Sequence, residues 1–481
     1  MKRLLVTGAT GYIGGRLTPA LVDEGYHVRA MTRDRSRLSG REWLDQVEVV
    51  EGDALEPESL SSALDDIDAA YYLIHSMSGS DEFQQRDIQA ARTFGQAAAE
   101  AGVQRIIYLG GLGDPESNLS EHLRSRQETG KALGEAGVPV TEFRAGIVVG
   151  AGSLSFEMIR SLAELIPVMI APSWVRTRIQ PIAIRDVIKY LTRALEVPQS
   201  KGKIFEVGGQ DVLTYGDMLL QYADIRGLKR FIIPVPVLTP RLSSYWVHWM
   251  TPIPSQIARP LIEGLRNEVI VRHDTASELF PDIQPMGYRK AVERALDQLT
   301  AGEVATAWSD SLSSTGRGKK PVVLETREGM IVEQRQRIVN ASPASVYQVF
   351  SQLGGDRGWL FANFLWRLRG VLDRIFGGVG FRRGRRSATD LRVGDAVDFW
   401  RVEALEPDRM VRYRAEMKVP GRAWLEFRVE QLDQESSRLV QTSYFAPKGL
   451  LGFLYWYLLY PFHGLIFLGL VNKVAAVAED D

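Results

Sequence analysis

The glycines at positions 8, 11 and 14 have the spacing in this chain that most directly indicates a chemical role. They follow a short apolar run and precede an amphipathic pattern over residues 12–24. Glycines permit a tight turn and let backbone N–H groups approach a phosphate, whose charge is favoured by the dipole of the following helix. The pattern therefore predicts a pyrophosphate-binding loop. Its candidate residues are Gly8, Thr10, Gly11, Tyr12, Ile13 and Gly14.

The loops after the second and third predicted strands carry residues suited to the adenosine half of a dinucleotide. At the end of the second strand an acidic side chain accepts hydrogen bonds from ribose hydroxyls, whereas an arginine accommodates a 2′-phosphate. Arg33 holds this position and favours NADP(H), while the adjacent Asp34 could serve a ribose and keeps NAD(H) as the alternative. After the third strand, Asp53 is predicted to accept from the adenine amino group, with Ala54 beside the ring.

The ends of the fourth and fifth predicted strands supply the remaining candidates for nucleotide binding. Ile74 and His75 follow the fourth strand and are predicted to line the ribose and the nicotinamide side. Gly110 and Gly111 end the fifth strand and are predicted to lie beside the cofactor. All these residues follow strands, so their convergence depends on the arrangement of the strands.

Residues 1 to about 145 alternate strand and helix patterns. Short apolar runs, mostly β-branched or aromatic, are separated by helical patterns, the clearest over residues 82–101. Such alternation predicts an α/β fold with a doubly wound parallel sheet, in which ligands bind at the carboxyl ends of the strands. The predicted strands are Arg3–Thr7, His27–Thr32, Val47–Glu51, Ala69–Ile74, Arg105–Leu109 and Val138–Phe143.

Composition bounds the function classes. A chain of 481 residues is long enough for two or three domains. Its 58 basic and 59 acidic residues are balanced, which predicts no nucleic-acid partner. The absence of cysteine excludes disulfides, thiolate catalysis and cysteine-ligated metals, and the six histidines lack metal-ligand spacing, so no metal site is expected. The first residues form a strand pattern rather than a signal peptide, which predicts a cytoplasmic protein.

The first 300 residues or so resemble the atypical short-chain dehydrogenase/reductase superfamily, and within it the NmrA-like NAD(P)H-binding proteins. The likeness rests on the glycine pattern that follows Val6-Thr7, on Thr32-Arg33 and on Gly52-Asp53-Ala54. The segments 139–146, 180–187 and 205–214 resemble later parts of that fold. The resemblance implies a Rossmann domain that binds NAD(P)(H) and acts as an oxidoreductase.

The sequence departs from that superfamily at the catalytic motif. Active members carry Tyr-x-x-x-Lys on the helix after the fifth strand, and a serine near the end of that strand. Here His122 and Arg126 have the same spacing as the tyrosine and lysine of that motif, and residues 109–113 contain no serine. Histidine can transfer protons near neutral pH, and Arg126 could hold the ribose. Arginine stays charged, however, and so cannot release and take up a proton as the lysine of the motif does. The catalytic candidates are therefore His122 and Arg126. The alternative is an exposed helical turn beside a nucleotide that is bound without turnover.

A change in composition predicts the domain organisation. Residues 1–306 are predicted to form the NAD(P)-binding domain, in which segment 150–300 supplies the substrate side. Residues 307–321 are polar and small, which is typical of a linker. Beyond them a strand, a short helix and an antiparallel meander, whose first strand is predicted over residues 396–403, precede a long apolar segment. This order resembles the START-like helix-grip fold. Residues 322–478 are therefore predicted to form an α+β domain of this type, which implies an apolar cavity for a hydrophobic or lipid-like ligand or a structural cap.

Two apolar stretches remain open to alternatives. Residues 231–271 contain Tyr245, Trp246 and Trp249 and are either a pocket wall or lid, or ordinary core and interface. Residues 449–471 carry no charge and would span about 34 Å as a helix. We expect this helix to cover the open face of the meander, and the alternatives are a transmembrane span or peripheral membrane contact.

Three classes of function are compatible with these patterns. The first is NADP-dependent reduction of an apolar carbonyl or quinone-like substrate, for which His122 is the proton-transfer candidate. The second is a sensor or regulator that binds NADP(H) without turnover, as the resemblance implies for some NmrA-like proteins. The third is a protein that handles a hydrophobic ligand or lipid and uses the nucleotide domain as a scaffold.

Overall fold

The computed structural model describes residues 2–38, 41–74, 81–235, 263–298, 322–327, 329–375, 380, 385, 387, 391–433 and 435–480. The chain divides into two compact units, Met1–Thr315 and Gly316–Asp481. The proposed linker 307–321 and the aromatic residues Tyr245, Trp246 and Trp249 lie outside the described residues.

The first unit alternates strands and helices as the sequence predicts. Its described elements are β1 (Arg3–Thr7), α1 (Gly14–Asp23), β2 (His27–Thr32), β3 (Glu48–Glu51), α2 (Pro57–Leu64), β4 (Ala69–Tyr72), α3 (Asp81–Glu100), β5 (Ile106–Gly111), α4 (Glu121–Gly134), β6 (Val140–Ala145), β7 (Val148–Val149), α5 (Leu154–Leu165), β8 (Val168–Pro172), β9 (Arg178–Ile179), β10 (Ile182–Ala183), α6 (Ile184–Arg193), β11 (Ile204–Val207), β12 (Leu213–Thr214), α7 (Tyr215–Ile225), β13 (Phe231–Val235), α8 (Thr275–Leu279) and α9 (Tyr288–Gln298).

Seven of these strands form one sheet, in the order β11-β6-β5-β4-β1-β2-β3, and every neighbouring pair is parallel. Alternate residues of β1 belong to different cores, because Leu4 and Val6 pack on one face of the sheet and Leu5 on the other. Helices cover both faces, which explains why the strand is an uninterrupted apolar run. The strand order reverses direction between β1 and β4, and this switch point is where doubly wound sheets bind ligands. The predicted Rossmann architecture is confirmed.

The second unit is a separate α+β structure. Its described elements are β14 (Val322–Arg327), β15 (Met330–Val339), α10 (Pro343–Ser351), α11 (Asn363–Ile375), β16 (Ala396–Val397), β17 (Trp400–Glu406), β18 (Met410–Ala415), β19 (Gly421–Gln431), β20 (Ser437–Pro447) and α12 (Gly449–Asp480). The seven strands form one antiparallel sheet in the order β14-β15-β20-β19-β18-β17-β16. The sequence predicts this meander, but it does not indicate α11.

One strand prediction in this unit is wrong. Residues 396–403 read as a single strand, whereas the structure breaks them into β16 and β17 around a two-residue turn. Asp398 begins this turn with a φ of 54°, a conformation that aspartate tolerates better than most residues. Its carboxylate accepts hydrogen bonds from the Trp359 indole at 2.9 Å and from the Gly355 N–H at 3.3 Å. These partners are distant in sequence, so the turn depends on tertiary contacts.

Helix α12 lies along the sheet and packs against β15, β20 and α10. Its buried side chains, among them Phe467, Leu470 and Val474, join the core of the second unit. Within the described residues this helix is also long and apolar enough to cross a membrane, and 22% of its most apolar window is buried. The helix therefore covers the sheet, and much of its apolar surface faces outward.

His463 lies on the covered side of α12, between the rings of Trp456 and Phe467, with centroid distances of 5.1 and 5.5 Å. Burial, together with the positive charge of Arg369, lowers the pKa of His463 to about 4. An unfolded histidine takes up a proton near pH 6.5, so between pH 6.5 and 4 the unfolded chain binds a proton that the folded chain does not. Folding stability from this group is therefore lost as pH falls through that window.

We expect His463→Phe to reduce the loss of stability of the second unit between pH 7 and pH 5. Urea unfolding followed by tryptophan fluorescence at both pH values measures this difference, and His273→Phe, an exposed histidine of the first unit, is the control. An unchanged pH dependence in His463→Phe would contradict the assignment.

Candidate functional site

The glycine-rich turn joins β1 to α1 and is held together by backbone contacts. Gly8 has a φ of +67°, and its carbonyl accepts a hydrogen bond from the Gly11 N–H at 2.9 Å. A Cβ atom at Gly14 would lie 2.3 Å from the Gly8 carbonyl oxygen, and one at Gly8 would lie 2.7 Å from the Leu73 carbonyl oxygen. The fold itself therefore requires glycine at positions 8 and 14. A Cβ at Gly11 would meet only the Gly8 oxygen, at 3.3 Å, and so Gly11 leaves space above the turn.

A cavity of about 290 Å³ opens above this turn at the carboxyl ends of β1, β4, β5 and β6. The glycine turn forms one wall, and α4 and α5 form others. The lining is mainly apolar, which suits a ligand with an aromatic or aliphatic body. Of the predicted site residues, those that line this cavity are Gly8, Gly11, Tyr12, Ile13, Gly14, Ile74, Gly110, Gly111, His122 and Arg126.

Helix α4 brings His122 and Arg126 to the cavity. The Ser120 hydroxyl caps this helix by accepting from the Leu123 N–H, and the two candidates lie one turn apart, both half-buried. The Arg126 guanidinium donates to the carbonyl of Leu109, at the end of β5. Arg126 is therefore fixed to the strand, whereas His122 forms part of the cavity wall.

A buried charge pair explains the glycines at the end of β5. Glu142 and Arg144 point to the same face of β6, with Arg144 Nε 2.8 Å from a Glu142 oxygen. Cβ atoms at Gly110 and Gly130 would lie only 2.5 and 2.7 Å from Glu142 oxygens. A Cβ at Gly111 would press on Leu123 and Arg126 instead, at 3.0 and 3.2 Å. The Glu142 carboxylate thus occupies the space that a side chain at position 110 would need. Leu123 and Arg126 occupy the corresponding space at position 111.

Desolvation is the main influence on the pKa values of the buried groups beside the cavity. Burial raises the pKa of Glu142, although the neighbouring Arg144 and Arg126 oppose the shift. Burial also raises the pKa of Tyr108 to about 12, and its hydroxyl donates to the Arg126 carbonyl at 2.9 Å. Tyr108 is therefore a neutral hydrogen-bond donor that positions α4.

The predicted adenosine-binding residues lie outside the cavity lining, at the ends of β2 and β3. The Gly52 N–H donates to the Thr32 carbonyl at 2.9 Å, which holds the two strand ends together. Arg33 is exposed there, and Asp53 accepts from the Leu55 N–H at 3.0 Å in a tight turn. Ala54 is buried. Thr10 is half-buried in the glycine turn but does not line the cavity, and His75 lies outside the described residues.

The sequence assigned segment 150–300 to the substrate side and offered residues 231–271 as one candidate pocket wall, but it singled out no residue of α5. Ser155 and Met158 of α5 line the cavity, together with Ile147 and with Leu265 of the stretch 231–271. The only local signal is the capping pattern before α5, in which the Ser153 hydroxyl accepts from the Phe156 N–H. Among the described residues, no group of three or more histidine, aspartate or glutamate side chains could hold a metal ion.

Comparison with known families agrees with this geometry. Residues 1–205 match the NmrA-like family. Residues 1–205 are therefore similar to NmrA-like proteins, and the unit that contains them is called here the NmrA-like domain. Residues 330–470 match a family described as a protein of unknown function, DUF2867. The NmrA-like match includes the glycine turn, the ends of β2 to β6, and α4.

The relatives of this chain include a dehydrogenase and a reductase. A 3 beta-hydroxysteroid dehydrogenase/Delta 5-->4-isomerase of Mycobacterium tuberculosis is 34% identical over 118 residues, which are 22% of this chain and 31% of that enzyme. The chain thus spans less than a third of that relative. The (4-alkanoyl-5-oxo-2,5-dihydrofuran-3-yl)methyl phosphate reductase of Streptomyces griseus is 27% identical over 231 residues, 47% of this chain and 74% of the reductase. The Citrobacter sp. triphenylmethane reductase complexed with NADP(H) superposes with a TM-score of 0.50 at 20% identity, covering 61% of this chain and 99% of that structure.

The two glycines at 11 and 14 should respond differently to substitution. We expect Gly14→Val to lower the melting temperature of the NmrA-like domain, because its side chain collides with the Gly8 backbone. We expect Gly11→Val to retain the fold but lose nucleotide binding, since its side chain stands in the space above the turn. Thermal unfolding and fluorescence titration with NADPH measure both effects. Full nucleotide affinity in Gly11→Val would show that the nucleotide does not bind at this turn.

Proposed function

We propose that this protein is an NADP(H)-binding oxidoreductase that reduces an apolar carbonyl or quinone-like substrate. The observation that carries the proposal is the single cavity that unites the glycine turn with His122 in a mainly apolar wall. A nucleotide held at the turn and an apolar substrate in the same cavity would meet beside His122, a side chain suited to proton transfer near neutral pH. The reductases among its relatives support the same class of reaction.

The strand ends fit the parts of NADP(H). The glycine turn and the first turn of α1 would hold the pyrophosphate, because the first N–H groups of a helix have no partner within it. The exposed guanidinium of Arg33 would hold the 2′-phosphate, and Asp53 would accept from the adenine. When bound, the nicotinamide supplies a hydride equivalent. NAD(H) remains the alternative cofactor because Asp34 lies next to Arg33.

The other residues that line the cavity would have separate roles in the proposed reaction. Met158, Ile147 and Leu265 would exclude water and contact the body of the substrate. His122 would donate a proton to the substrate oxygen. Arg126 would act through position and charge alone, since its guanidinium already binds the Leu109 carbonyl and stays protonated.

A second candidate is binding of NADP(H) without turnover. The specific observation is that Glu142 and Arg126 fill the place where a serine side chain would stand, so that positions 110 and 111 are glycine. The site then retains the nucleotide turn but lacks the hydroxyl groups of the usual motif. Under this alternative the chain reports nucleotide state as a sensor or regulator. A third class, in which the NmrA-like domain is a scaffold and residues 322–478 bind a hydrophobic ligand, also stays a hypothesis.

Cofactor preference tests the assignment of Arg33. We expect NADPH to bind several-fold more tightly than NADH, because charge-assisted hydrogen bonds to the 2′-phosphate contribute about 1.5–3 kcal/mol. Arg33→Glu should reverse the order, and Lys201→Glu, an equal charge change at an exposed loop, should leave it unchanged. Titration calorimetry measures the six affinities, two for each of the three proteins. Equal affinities of the unaltered protein for both nucleotides would remove Arg33 from the site.

Turnover tests the role of His122. We expect His122→Phe to lower NADPH-dependent reduction at least about tenfold while retaining NADPH affinity, since general acid–base groups contribute about 10²–10⁴-fold. His273→Phe, an exposed histidine outside the cavity, is the matched control. Consumption of NADPH with a panel of apolar aldehydes, ketones and quinones is the measurement. Unchanged turnover would exclude His122 from proton transfer, and failure of every substrate would favour the sensor.

A further inference from the structure

Helix α11 of the second unit carries an apolar face on its outside. Its inward residues are Trp366, Gly370 and Asp373, whereas the residues between them are exposed. A surface helix of a water-soluble protein normally shows charged and polar residues there. The exposed apolar side chains, with their accessible fractions, are Phe364 at 71%, Leu368 at 52%, Val371 at 51%, Leu372 at 42% and Ile375 at 71%.

Helix α12 also carries an exposed apolar face, over the first two-thirds of its length. One face packs on the sheet through Gly452, Trp456 and Phe467, and the opposite face is a stripe at helical spacing. No residue from Gly449 to Val471 is charged. The stripe is formed by Leu451 at 73% accessibility, Leu454 at 56%, Leu458 at 77%, Phe462 at 56% and Leu465 at 59%.

The two helices adjoin each other. The rings of Trp366 and Phe467 lie 6.4 Å apart, and the Arg369 guanidinium donates to the Tyr455 hydroxyl at 3.3 Å. The helices that carry the two exposed apolar faces are therefore neighbours in the second unit, and these faces together are called here the outer apolar surface. Apolar exposure of this extent marks a protein or membrane interaction site.

The charges beside the outer apolar surface indicate the kind of partner that it binds. Arg367 and Arg374 are exposed on α11, and the only acidic residue of that helix, Asp373, is buried and accepts from the N–H groups of Gly380 and Lys418. Apolar side chains flanked by arginines complement an anionic lipid headgroup layer above hydrocarbon.

The packing of α12 favours a position in the membrane plane over a span. Its inward face is bound to the sheet from Gly452 to Ala478, so a spanning helix would have to leave the sheet or draw it into the bilayer. The sheet carries the buried ion pair of Glu333 and Arg335, which hydrocarbon would not solvate. A helix that keeps one face on its own domain can bury only the other face in lipid.

We propose that α11 and the outward stripe of α12 dock the protein on an anionic membrane surface, with both helices lying in the interfacial plane. This role is independent of the proposed reductase, because it uses neither the glycine turn nor His122. It would bring the catalytic unit to a membrane whose apolar solutes are candidate substrates.

Co-sedimentation of the full chain with lipid vesicles tests the proposal. We expect binding to vesicles of phosphatidylcholine with phosphatidylglycerol, and much weaker binding to phosphatidylcholine alone. Arg367→Glu combined with Arg374→Glu should lower partition into the anionic vesicles at least about tenfold, since each basic residue near the surface contributes about fivefold. High salt should reduce binding of the unaltered protein more than that of this variant.

Variants of the apolar stripe test the second component. Phe364→Glu combined with Leu458→Glu should also lower partition at least about tenfold, because two exposed apolar contacts are replaced by charges. Ile338→Glu is the matched control, as Ile338 is 62% exposed on β15, outside the outer apolar surface, and lies opposite Arg438. Circular dichroism and NADPH titration verify that each variant is folded.

Three results would overturn the proposal. The first is absence of vesicle binding, or binding that none of these variants reduces. The second is a dimer in light scattering that Phe364→Glu with Leu458→Glu dissociates, because the surface would then be occupied by a second copy. The third is protein that resists alkaline carbonate and leaves cell membranes only with detergent, because α12 would then span the bilayer.

Discussion

The close approach of the Gly8 carbonyl to the backbone at Gly14 is the contact on which the first unit depends. It places the start of α1 directly over the end of β1, at the switch point of the sheet, with no room for a side chain at either glycine. Because all strands of the sheet are parallel, their carboxyl ends meet at this same edge. The turn, the α4 residues and the apolar wall therefore share one cavity.

The buried pair of Glu142 and Arg144 is a second constraint on that cavity. Two charges inside a sheet are stable only when paired and hydrogen-bonded, and Glu142 gains its space from glycines on β5 and α4. Glu142 thus excludes a side chain at position 110, at the end of β5, whereas Leu123 and Arg126 crowd position 111. A serine, which the sequence lacks at residues 109–113, would have no space at position 110 beside this carboxylate.

The second unit depends on the packing of a helix against a sheet. One side of α12 covers one face of the antiparallel sheet and joins the main core of this unit. The other side of α12, and the outer side of α11, remain apolar although they contribute nothing to this core. Stability of the domain alone does not require these exposed leucines and phenylalanines, which is why we assign them to an external apolar environment.

The Rossmann sheet, the glycine turn, the meander and the apolar character of α12 are predictable from the sequence alone, because each depends on local periodicity and on residues close in the chain. The break in the strand at Asp398 depends on a tertiary contact, since its partner Trp359 is 39 residues away. Likewise, the reason for glycine at position 110 lies in Glu142, on a neighbouring strand. Helix α11 also escaped prediction, because its apolar residues face outward and its inward face is recognisable only from its contacts. Long-range packing decided these features, and a linear pattern does not record which distant side chain fills a given space.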